Sequence, residues 1–329
     1  MKTASYYRVL PDQKIQCELC PHNCQIPVGK AGFCNIRTHQ DGTLVAANYG
    51  QVSAIALDPI EKKPLYHFYP GRPILSVGTV GCNLACEFCQ NWHISREQGE
   101  TRTVTPEELM ALAMQTQREH GNIGLAYTYS EPVVWYEFLV ETMPLVREAG
   151  LKNVLVTNAF LHPEPWNELL KWADAANIDL KGFKTEYYRR WCHGQLQPVL
   201  ENIRAAAGKI HLELTTLLIP GENDDPEQLE DMVRWIAALD PDIPLHLSRY
   251  YPNYKMDRPA TTGQVMEQAY QIAKSHLNFV YLGNLGANNN TVCHQCGKVL
   301  VERHGYTIRV LAEGRCPGCG EQIPFVMED

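Results

Sequence analysis

Short apolar runs alternate with amphipathic segments along most of the chain from about residue 74 onward. The apolar runs, which predict β-strands, are Ile74–Thr79, Ile123–Thr128, Asn153–Asn158, Ala176–Lys181, His211–Pro220, Pro244–Ser248 and a weaker Phe279–Leu285. The clearest helix begins at Thr105, which can cap it, with Pro106 at the first position and Glu108 at the third. Further helices are predicted near 133–149, 164–174, 196–207, 226–239 and 261–276.

Strands that alternate with helices predict an α/β fold with a parallel sheet covered by helices. Six or seven such units favour a partial or complete (β/α) barrel over a short doubly wound sheet. In such barrels the chemistry lies at the carboxyl ends of the strands, so candidate site residues are expected just after each apolar run. We predict a barrel core over 71–288, an irregular, cysteine-rich N-terminal cap over 1–70 and a small C-terminal module over 289–329.

Composition narrows the classes of protein that remain. The net charge is −8 and the pI is about 5.9, which gives no support for a nucleic-acid or acidic-membrane surface. Met1–Val9 has no apolar signal-peptide core, and no apolar run reaches the eighteen residues that a membrane span needs. We therefore expect a soluble, cytoplasmic protein without a membrane partner.

The twelve cysteines are unusual in their placement. Eleven of them fall into three sets and one stands alone: Cys17, Cys20, Cys24 and Cys34; Cys82, Cys86 and Cys89; Cys192; and Cys293, Cys296, Cys316 and Cys319. Tight C-x2-C spacing without a secretory signal indicates metal ligation and not a disulfide framework.

The central set has the spacing C-x3-C-x2-C directly after the first predicted barrel strand. Three thiolates on one short loop can hold three irons of a [4Fe–4S] cluster and leave the fourth iron open to S-adenosylmethionine. Two alternatives remain: a zinc site completed by His93, or an electron-transfer cluster completed by a further cysteine. The position at the strand end, and Phe88 before the last cysteine, favour the open cluster.

On this motif the chain resembles the radical S-adenosylmethionine (radical SAM) superfamily. Within it the chain is similar to the glycyl-radical-enzyme activase branch, and most similar to the radical SAM component of the AmmeMemoRadiSam system. The other segments that carry the resemblance are Cys17–Cys24, Pro59–Phe68 and the C-terminal cysteine pairs. The resemblance covers essentially the whole chain and implies a radical SAM barrel.

The resemblance also implies cofactor-binding residues. Ser130 and Glu131 stand where the family has a Gly-Gly-Glu-like turn, although both glycines are absent here. The family's Asp-Thr-Asn-Gly becomes Val156-Thr157-Asn158-Ala159, which keeps Thr157 and Asn158 as candidates but loses the aspartate. The structural alternative for Ser130 and Glu131 is an ordinary helix cap.

The family's Asp-x-Lys is intact as Asp179-Leu180-Lys181. Lys181 is expected at the cofactor carboxylate and Asp179 at the cluster chamber or the substrate, with a purely structural ion pair as the alternative. Strand alternation places both on the barrel interior. Thr216, or its neighbour Thr215, is expected near the adenosine.

Other residues are weaker candidates for the substrate side. His246, Ser248 and Arg249 follow the sixth strand, where core polar residues would look the same. The lone Cys192 is either a small buried hydrophobe or a thiol at the mouth of the site that donates a hydrogen atom.

The C-terminal set, with hairpin strands predicted at Val299–Val301 and Tyr306–Val310, indicates a closed, tetrahedral zinc ribbon; a rubredoxin-like iron site would use the same ligands. The N-terminal set suits either structural zinc or an auxiliary [4Fe–4S] cluster. We favour zinc there, because proline, glycine and His22 suggest a compact knuckle, in which His22 could replace a cysteine.

These patterns predict an enzyme that cleaves S-adenosylmethionine reductively to a 5′-deoxyadenosyl radical, which abstracts hydrogen from a substrate. The expected partners are S-adenosylmethionine, an electron donor such as flavodoxin or ferredoxin, and a protein substrate as in activases. A small-molecule or RNA substrate is the alternative within this class. A metal-binding scaffold or redox sensor with zinc in the central set is the alternative outside it.

Overall fold

We describe a computed structural model of the 329-residue chain over residues 2–97, 99–286 and 289–327. The N-terminal part contains short strands, and so the expectation that residues 1–70 are irregular was wrong. In chain order these strands are β1 Lys2–Thr3, β2 Tyr7–Val9, β3 Ile15–Cys17, β4 Gln25–Ile26, β5 Arg37–Gln40, β6 Thr43–Ala46, β7 Gln51–Val52 and β8 Ala54–Pro59. Strands β1 to β7 were missed because each has only two to four residues, too few to show a periodic pattern, and the six-residue β8 was missed as well.

The barrel strands and helices follow in alternation, as the apolar pattern predicts. The strands are β9 Pro73–Gly78, β10 Arg102–Thr103, β11 Gly124–Tyr127, β12 Lys152–Thr157, β13 Ala175–Asp179, β14 His211–Leu218, β15 Leu245–Arg249 and β16 Val280–Gly283. The helices are α1 Trp92–Ser95, α2 Pro106–His120, α3 Tyr136–Glu148, α4 Pro163–Leu170, α5 Thr185–Tyr187, α6 Leu196–Ala206, α7 Pro226–Leu239 and α8 Gly263–Lys274. Short 3₁₀ turns lie at Ile60–Lys62 and Pro132–Trp135, and a π turn lies at Tyr188–Cys192.

The central sheet has the order β16-β15-β14-β13-β12-β11-β9-β8. All neighbours are parallel except β8, which pairs antiparallel with β9. Since β8 and β16 are the two edges of the sheet, the chain forms a partial barrel, one of the two forms expected. The short β10 pairs outside this sheet, with β7.

Helix α2 begins as its sequence predicts. The Thr105 hydroxyl accepts a hydrogen bond from the Glu108 amide at 3.1 Å, and the Glu108 carboxylate accepts one from the Thr105 amide at 2.8 Å. The helix ends at Gly121, whose φ of 70° is the left-handed conformation that glycine tolerates best. This helix packs across the sheet beside α3, which helps to bury the apolar strands.

The segment Pro59–Phe68, which we call the floor segment, begins at the end of β8 and reaches β13 and β14 of the central sheet. The backbone amides of Tyr66 and His67 donate hydrogen bonds of 2.8 and 2.7 Å to the carboxylate of Glu213 on β14. The Asn177 side chain on β13 donates one of 2.7 Å to the Pro64 carbonyl. The floor segment therefore closes the barrel interior below the carboxyl ends of the strands.

The C-terminal module is a three-stranded sheet of β17 Thr291–Val292, β18 Val299–His304 and β19 Thr307–Val310. Its predicted hairpin is confirmed. Arg303 is buried and donates hydrogen bonds of 2.7 Å to the Tyr66 carbonyl and to the Thr291 hydroxyl, which fixes the module against the floor segment. Over the described residues, every helix is too short or too polar to cross a membrane.

Candidate functional site

The three central cysteines lie on the loop between β9 and α1, at the carboxyl end of the sheet. Each of two sulfurs has a nearby donor: the Leu84 amide lies 3.3 Å from Cys82 Sγ, and the Ser95 hydroxyl lies 3.3 Å from Cys89 Sγ. Burial raises the pKa of the Cys82 and Cys89 thiols, so their thiolates need a metal to be stable here. Buried sulfurs with N–H and O–H donors suit the ligands of an iron–sulfur cluster.

All three cysteines open into one cavity of about 390 Å³, a volume typical of small-molecule sites. The residues that line it come from the loop between β9 and α1 with the start of the segment after it (residues 79–96, the cluster loop), the floor segment and six barrel strands, β11 to β16: Lys62, Pro64, Cys82, Leu84, Cys86, Phe88, Cys89, Gln90, Asn91, Ser95, Arg96, Tyr129, Ser130, Glu131, Asn158, Asp179, Lys181, Thr215, Leu217, Ser248 and Asn284. Most of the expected cofactor-binding residues therefore meet at one place.

Glu131 is buried at the end of β11, where its carboxylate accepts three hydrogen bonds. The donors are the Thr157 hydroxyl at 2.6 Å, the Asn158 amide at 2.8 Å and the Val133 amide at 3.1 Å. Burial outweighs these donors and raises the pKa of Glu131 to about 7. Thr157 is buried and reaches the cavity only through Glu131, so it is a positioning residue in this geometry.

Asn158, directly after β12, connects that strand to the cluster loop. The side-chain nitrogen of Asn158 (Nδ2) lies 3.7 Å from Cys82 Sγ and donates a 2.9 Å hydrogen bond to Oδ1 of Asn83. Thr157 and Asn158 therefore retain defined positions although the family's aspartate is absent from this sequence.

Asp179 and Lys181 lie on the same side of β13 and its extension, as alternation predicts. Their side chains form an ion pair of 2.9 Å at the cavity wall. Burial alone would lower the pKa of Lys181, but the charge of Asp179 outweighs it and holds the pKa well above its usual value. The ammonium group is thus a fixed positive charge beside the cluster loop.

One expected cofactor contact needs correction. Thr216 points to the helix layer, where its hydroxyl donates a 2.8 Å hydrogen bond to the Leu180 carbonyl and lies near Met232. Thr215, on the opposite face of β14, lines the cavity instead. Of the three weaker candidates on the substrate side, His246, Ser248 and Arg249, Ser248 alone lines the cavity.

His246 and Arg249 lie away from the cavity. His246 is buried 2.6 Å from the Glu213 carboxylate, and Arg249 donates a 2.6 Å hydrogen bond to the Thr261 carbonyl. Both are satisfied by structural partners. His93, the alternative zinc ligand, is exposed on α1 and does not line the cavity.

Cys192 is fully buried and belongs to the π turn that packs against the cluster loop. The Ala85 amide donates a 3.0 Å hydrogen bond to the Cys192 carbonyl, and the neighbouring Cys192 thiol, together with burial, raises the pKa of the Cys86 thiol. Cys192 does not line the cavity, so the structure places it behind a central cysteine and not at the mouth.

Several cavity residues were not predicted from the sequence. Lys62 belongs to the floor segment. That segment carries part of the family resemblance, but the resemblance assigned no role to Lys62. Tyr129, Asn91, Arg96 and Asn284 come from loops. Only the position of Tyr129, directly before Ser130, could have drawn attention to it.

The four C-terminal cysteines converge on one point. Their ligand atoms all lie within 4.8 Å of one another, and the Sγ–Sγ distances are 3.6 Å for Cys293–Cys319 and for Cys296–Cys316. Tetrahedral bonds of 2.3 Å to zinc would separate the sulfurs by about 3.8 Å. This set can bind a single metal ion.

The four N-terminal cysteines line a second cavity of about 20 Å³ next to the cluster loop. His22 does not line that cavity; its imidazole lies 2.8 Å from the Asn83 carbonyl and against the Phe33 ring.

The partial barrel, the three-cysteine loop and the polar cavity at the strand ends together define the class of protein. Residues 76–236 match the family model of the radical SAM superfamily. The chain therefore contains a radical SAM domain, whose fold implies a [4Fe–4S] cluster and S-adenosylmethionine. The residues present fit both groups, since three thiols and a carboxylate–ammonium pair face one cavity.

Related proteins extend this assignment. An uncharacterized protein of Methanocaldococcus jannaschii is 38% identical over 340 residues, which cover 99% of this chain and all of that protein. The 4-hydroxyphenylacetate decarboxylase activating enzyme of Clostridioides difficile is 26% identical over 40% of this chain and 43% of its own length. The pyruvate formate-lyase-activating enzyme of Listeria monocytogenes is 24% identical over 48% of this chain and 67% of its own. This chain thus spans less than half of the decarboxylase activating enzyme.

Solved structures support the fold. A radical SAM methyltransferase from Sphaerobacter thermophilus superposes with a TM-score of 0.52 at 18% identity, over 70% of this chain and 71% of that one. Streptococcus suis SuiB bound to S-adenosylmethionine gives a TM-score of 0.50 at 12% identity, over 61% and 47% of the two chains.

Proposed function

We propose that this protein reductively cleaves S-adenosylmethionine and uses the resulting 5′-deoxyadenosyl radical to abstract hydrogen from a substrate. The observation that carries the proposal is the shared cavity, into which Cys82, Cys86 and Cys89 open together with Glu131 and Lys181. These three thiolates would hold a [4Fe–4S] cluster, which would supply the one electron needed to cleave the sulfonium to methionine and the 5′-deoxyadenosyl radical.

The chain's own residues bind and orient the sulfonium substrate. The Glu131 carboxylate is offered to the amino group, and the Lys181 ammonium to the carboxylate. Thr215 faces the adenosine, while Phe88 excludes water beside the last cysteine. Asp179 both neutralises Lys181 and faces the remaining space of the cavity, where the substrate would enter.

For the substrate we propose a protein side chain or glycyl residue. This rests on the relatives, because two of the matched proteins are named as activating enzymes of other enzymes. The same motifs led us to assign the chain to the radical SAM component of the AmmeMemoRadiSam system, and that assignment stays a proposal. A small molecule or RNA is the alternative substrate, although the net charge of −8 disfavours RNA.

The remaining partners are also proposals. The reductant would be a low-potential carrier such as flavodoxin or ferredoxin, and zinc would occupy the C-terminal cysteines. We propose a cytoplasmic location, where thiols stay reduced.

The test is anaerobic. The reconstituted protein is reduced with dithionite in the presence of S-adenosylmethionine, and 5′-deoxyadenosine and methionine are quantified. We expect both products in equal amounts, and their loss in Cys86→Ala. Zinc in the central cysteines with no cleavage would favour the scaffold or redox-sensor alternative and overturn the proposal.

A further inference from the structure

The N-terminal cysteines line a space that is larger than a zinc site requires. Cys17, Cys20, Cys24 and Cys34 line one cavity of about 20 Å³, together with Leu19, Gly32, Phe33, Arg37, Asn83 and Val134. A single water molecule needs about 10–15 Å³ of such space. A zinc ion 2.3 Å from four sulfurs leaves no room for a water-sized sphere between them.

The C-terminal set provides an internal comparison. There the four sulfurs lie within 4.8 Å of one another, as a single ion demands. In the ranges 2–97, 99–286 and 289–327, no three of the N-terminal thiols meet that criterion, and neither do the three central cysteines. The N-terminal set is therefore spaced like the predicted cluster site and unlike the single-ion site.

The surroundings of this cavity suit an anionic group. Arg37 is 1% exposed, its guanidinium lies 3.7 Å from Cys17 Sγ, and it forms an ion pair with Glu137. The Phe33 amide lies 3.4 Å from Cys24 Sγ. The charge of Arg37 is balanced by Glu137, but its N–H group and the Phe33 amide are directed at the sulfurs, as suits the thiolate ligands of an iron–sulfur cluster.

We propose that Cys17, Cys20, Cys24 and Cys34 hold a second, coordinatively complete [4Fe–4S] cluster. Four thiolates satisfy all four irons, so this cluster has no open iron and cannot bind S-adenosylmethionine. The sequence favoured zinc at this site, and the spacing of the thiols reverses that preference.

The second cluster site lies against the first. Asn83 lines the N-terminal cavity, and its neighbour Cys82 lines the central one, so the two sites share the Cys82–Asn83 peptide as a wall. Gly81 allows this approach, because a Cβ there would lie 2.2 Å from Cγ1 of Ile36. The Arg96 guanidinium bonds the carbonyls of both Phe33 and Cys82 at 3.2 Å, which holds the two loops together.

The experiment measures metal content and spectra, so it does not depend on turnover. The full chain is reconstituted anaerobically with iron, sulfide and competing zinc, and iron, sulfide and zinc per chain are determined with Mössbauer and EPR spectra. We expect about eight irons in the wild type. The variant Cys82→Ala/Cys86→Ala/Cys89→Ala should keep about four irons and four sulfides with the spectrum of a [4Fe–4S] cluster.

The reciprocal variant Cys20→Ala/Cys24→Ala should lose this second cluster and retain the first. His22→Gln is the matched control, since it alters the same loop but no thiol, and it should keep both clusters. About four irons in the wild type, with none in the triple variant and zinc in the N-terminal thiols, would overturn the proposal. The deciding variant leaves the N-terminal thiols intact, so misfolding of the reciprocal variant would not obscure the result.

Failure here is distinguishable from failure of the proposed function. A protein with one cluster that still makes 5′-deoxyadenosine would refute only the second site. A protein with two clusters that makes none would refute only the radical chemistry.

Discussion

The Thr157 hydroxyl donates a 2.6 Å hydrogen bond to the carboxylate of Glu131, and both groups are buried at the ends of adjacent strands. Burial raises the pKa of Glu131 to about 7 even though Thr157 and two backbone amides favour the charged form. A carboxyl group with this pKa changes its charge across neutral pH, and only its ionised form can pair with the amino group of S-adenosylmethionine.

The affinity for S-adenosylmethionine should therefore rise with pH through 7. With a pKa of about 7, the ionised fraction of Glu131 increases roughly tenfold between pH 6 and pH 8. We expect the Kd to fall by about the same factor, measured by anaerobic isothermal titration calorimetry on the reconstituted protein. Proton release on binding should accompany the change at pH 6.

Glu131→Gln is the control for this titration. It should bind more weakly at both pH values and show no dependence on pH. A wild-type Kd that is equal at pH 6 and pH 8 would contradict the assignment of Glu131 to the amino group.

Thr215 and Thr216 offer a matched pair on opposite faces of β14. Thr215→Val should raise the Kd for S-adenosylmethionine by about 2–10-fold, the loss of one hydrogen bond. Thr216→Val should leave the Kd unchanged and instead lower the free energy of unfolding by about 1–3 kcal/mol, because the Leu180 carbonyl loses its donor. Calorimetric binding and chemical denaturation of both variants would test this; a reversed pattern would restore Thr216 as the cofactor contact.

The error at Thr216 shows what a sequence can predict about a buried parallel strand. The alternation of strands and helices predicted all seven parallel strands, and the Asp-x-Lys spacing placed Asp179 and Lys181 on one face. Strand β14 in fact alternates, with His211, Glu213 and Thr215 on one face and Leu212, Leu214 and Thr216 on the other, so the period of two separates the two threonines. The structure adds which of these two faces lines the cavity, and it is the face that carries Thr215.

Contacts between segments that are distant in the sequence could not be predicted from it either. The amide of Tyr66 meets Glu213 across 147 positions of sequence, and Cys192 reaches Cys86 from a different loop. Neither pairing follows from local spacing or periodicity. The cysteine sets were predictable because metal ligands recur at short spacings, but the space between the N-terminal thiols required a structure.

Glu213 should stabilise the floor segment. Burial opposes its ionisation, but hydrogen bonds with His211 and His246 outweigh burial and hold the pKa of Glu213 well below its usual 4.5. A carboxylate with a lowered folded-state pKa stabilises the protein above the unfolded pKa, and this stability is lost as the pH falls through the folded pKa. Glu213→Gln should lower the free energy of unfolding by about 1.5–3 kcal/mol at pH 7.

The gap between wild type and Glu213→Gln should narrow as the pH falls below 4.5, as measured by urea denaturation at several pH values. Glu230→Gln, which removes a solvent-accessible partner of Arg234 and His276, should change the stability little. An equal gap at pH 7 and pH 3.5 would show that the charge of Glu213 does not matter.

Cys192 should tune the first cluster through Cys86. Its thiol raises the pKa of the neighbouring Cys86 thiol, and a thiol donor beside a cluster sulfur raises the reduction potential. Cys192→Ala should therefore make the midpoint potential more negative with the iron content unchanged, while Cys192→Ser keeps a donor and stays near the wild type. A redox titration followed by EPR distinguishes the variants. If Cys192→Ser changes the products and not the potential, the hydrogen-donor hypothesis would be favoured instead.

Removal of the C-terminal metal should unfold only the C-terminal module. Cys296 and Cys319 are exposed, so a chelator can reach the metal, and the small apolar cluster beneath it cannot hold three short strands by itself. We expect chelation, or Cys296→Ser, to release about one metal ion per chain and to make residues 289–327 sensitive to limited proteolysis, with the barrel intact. Fragments are identified by mass spectrometry and metal by elemental analysis. Zinc added back should restore resistance after chelation but not in the variant.

A C-terminal module that resists proteolysis without metal would contradict this prediction. It would mean that Arg303 and the floor segment suffice to hold the module, because those contacts do not involve the four thiols.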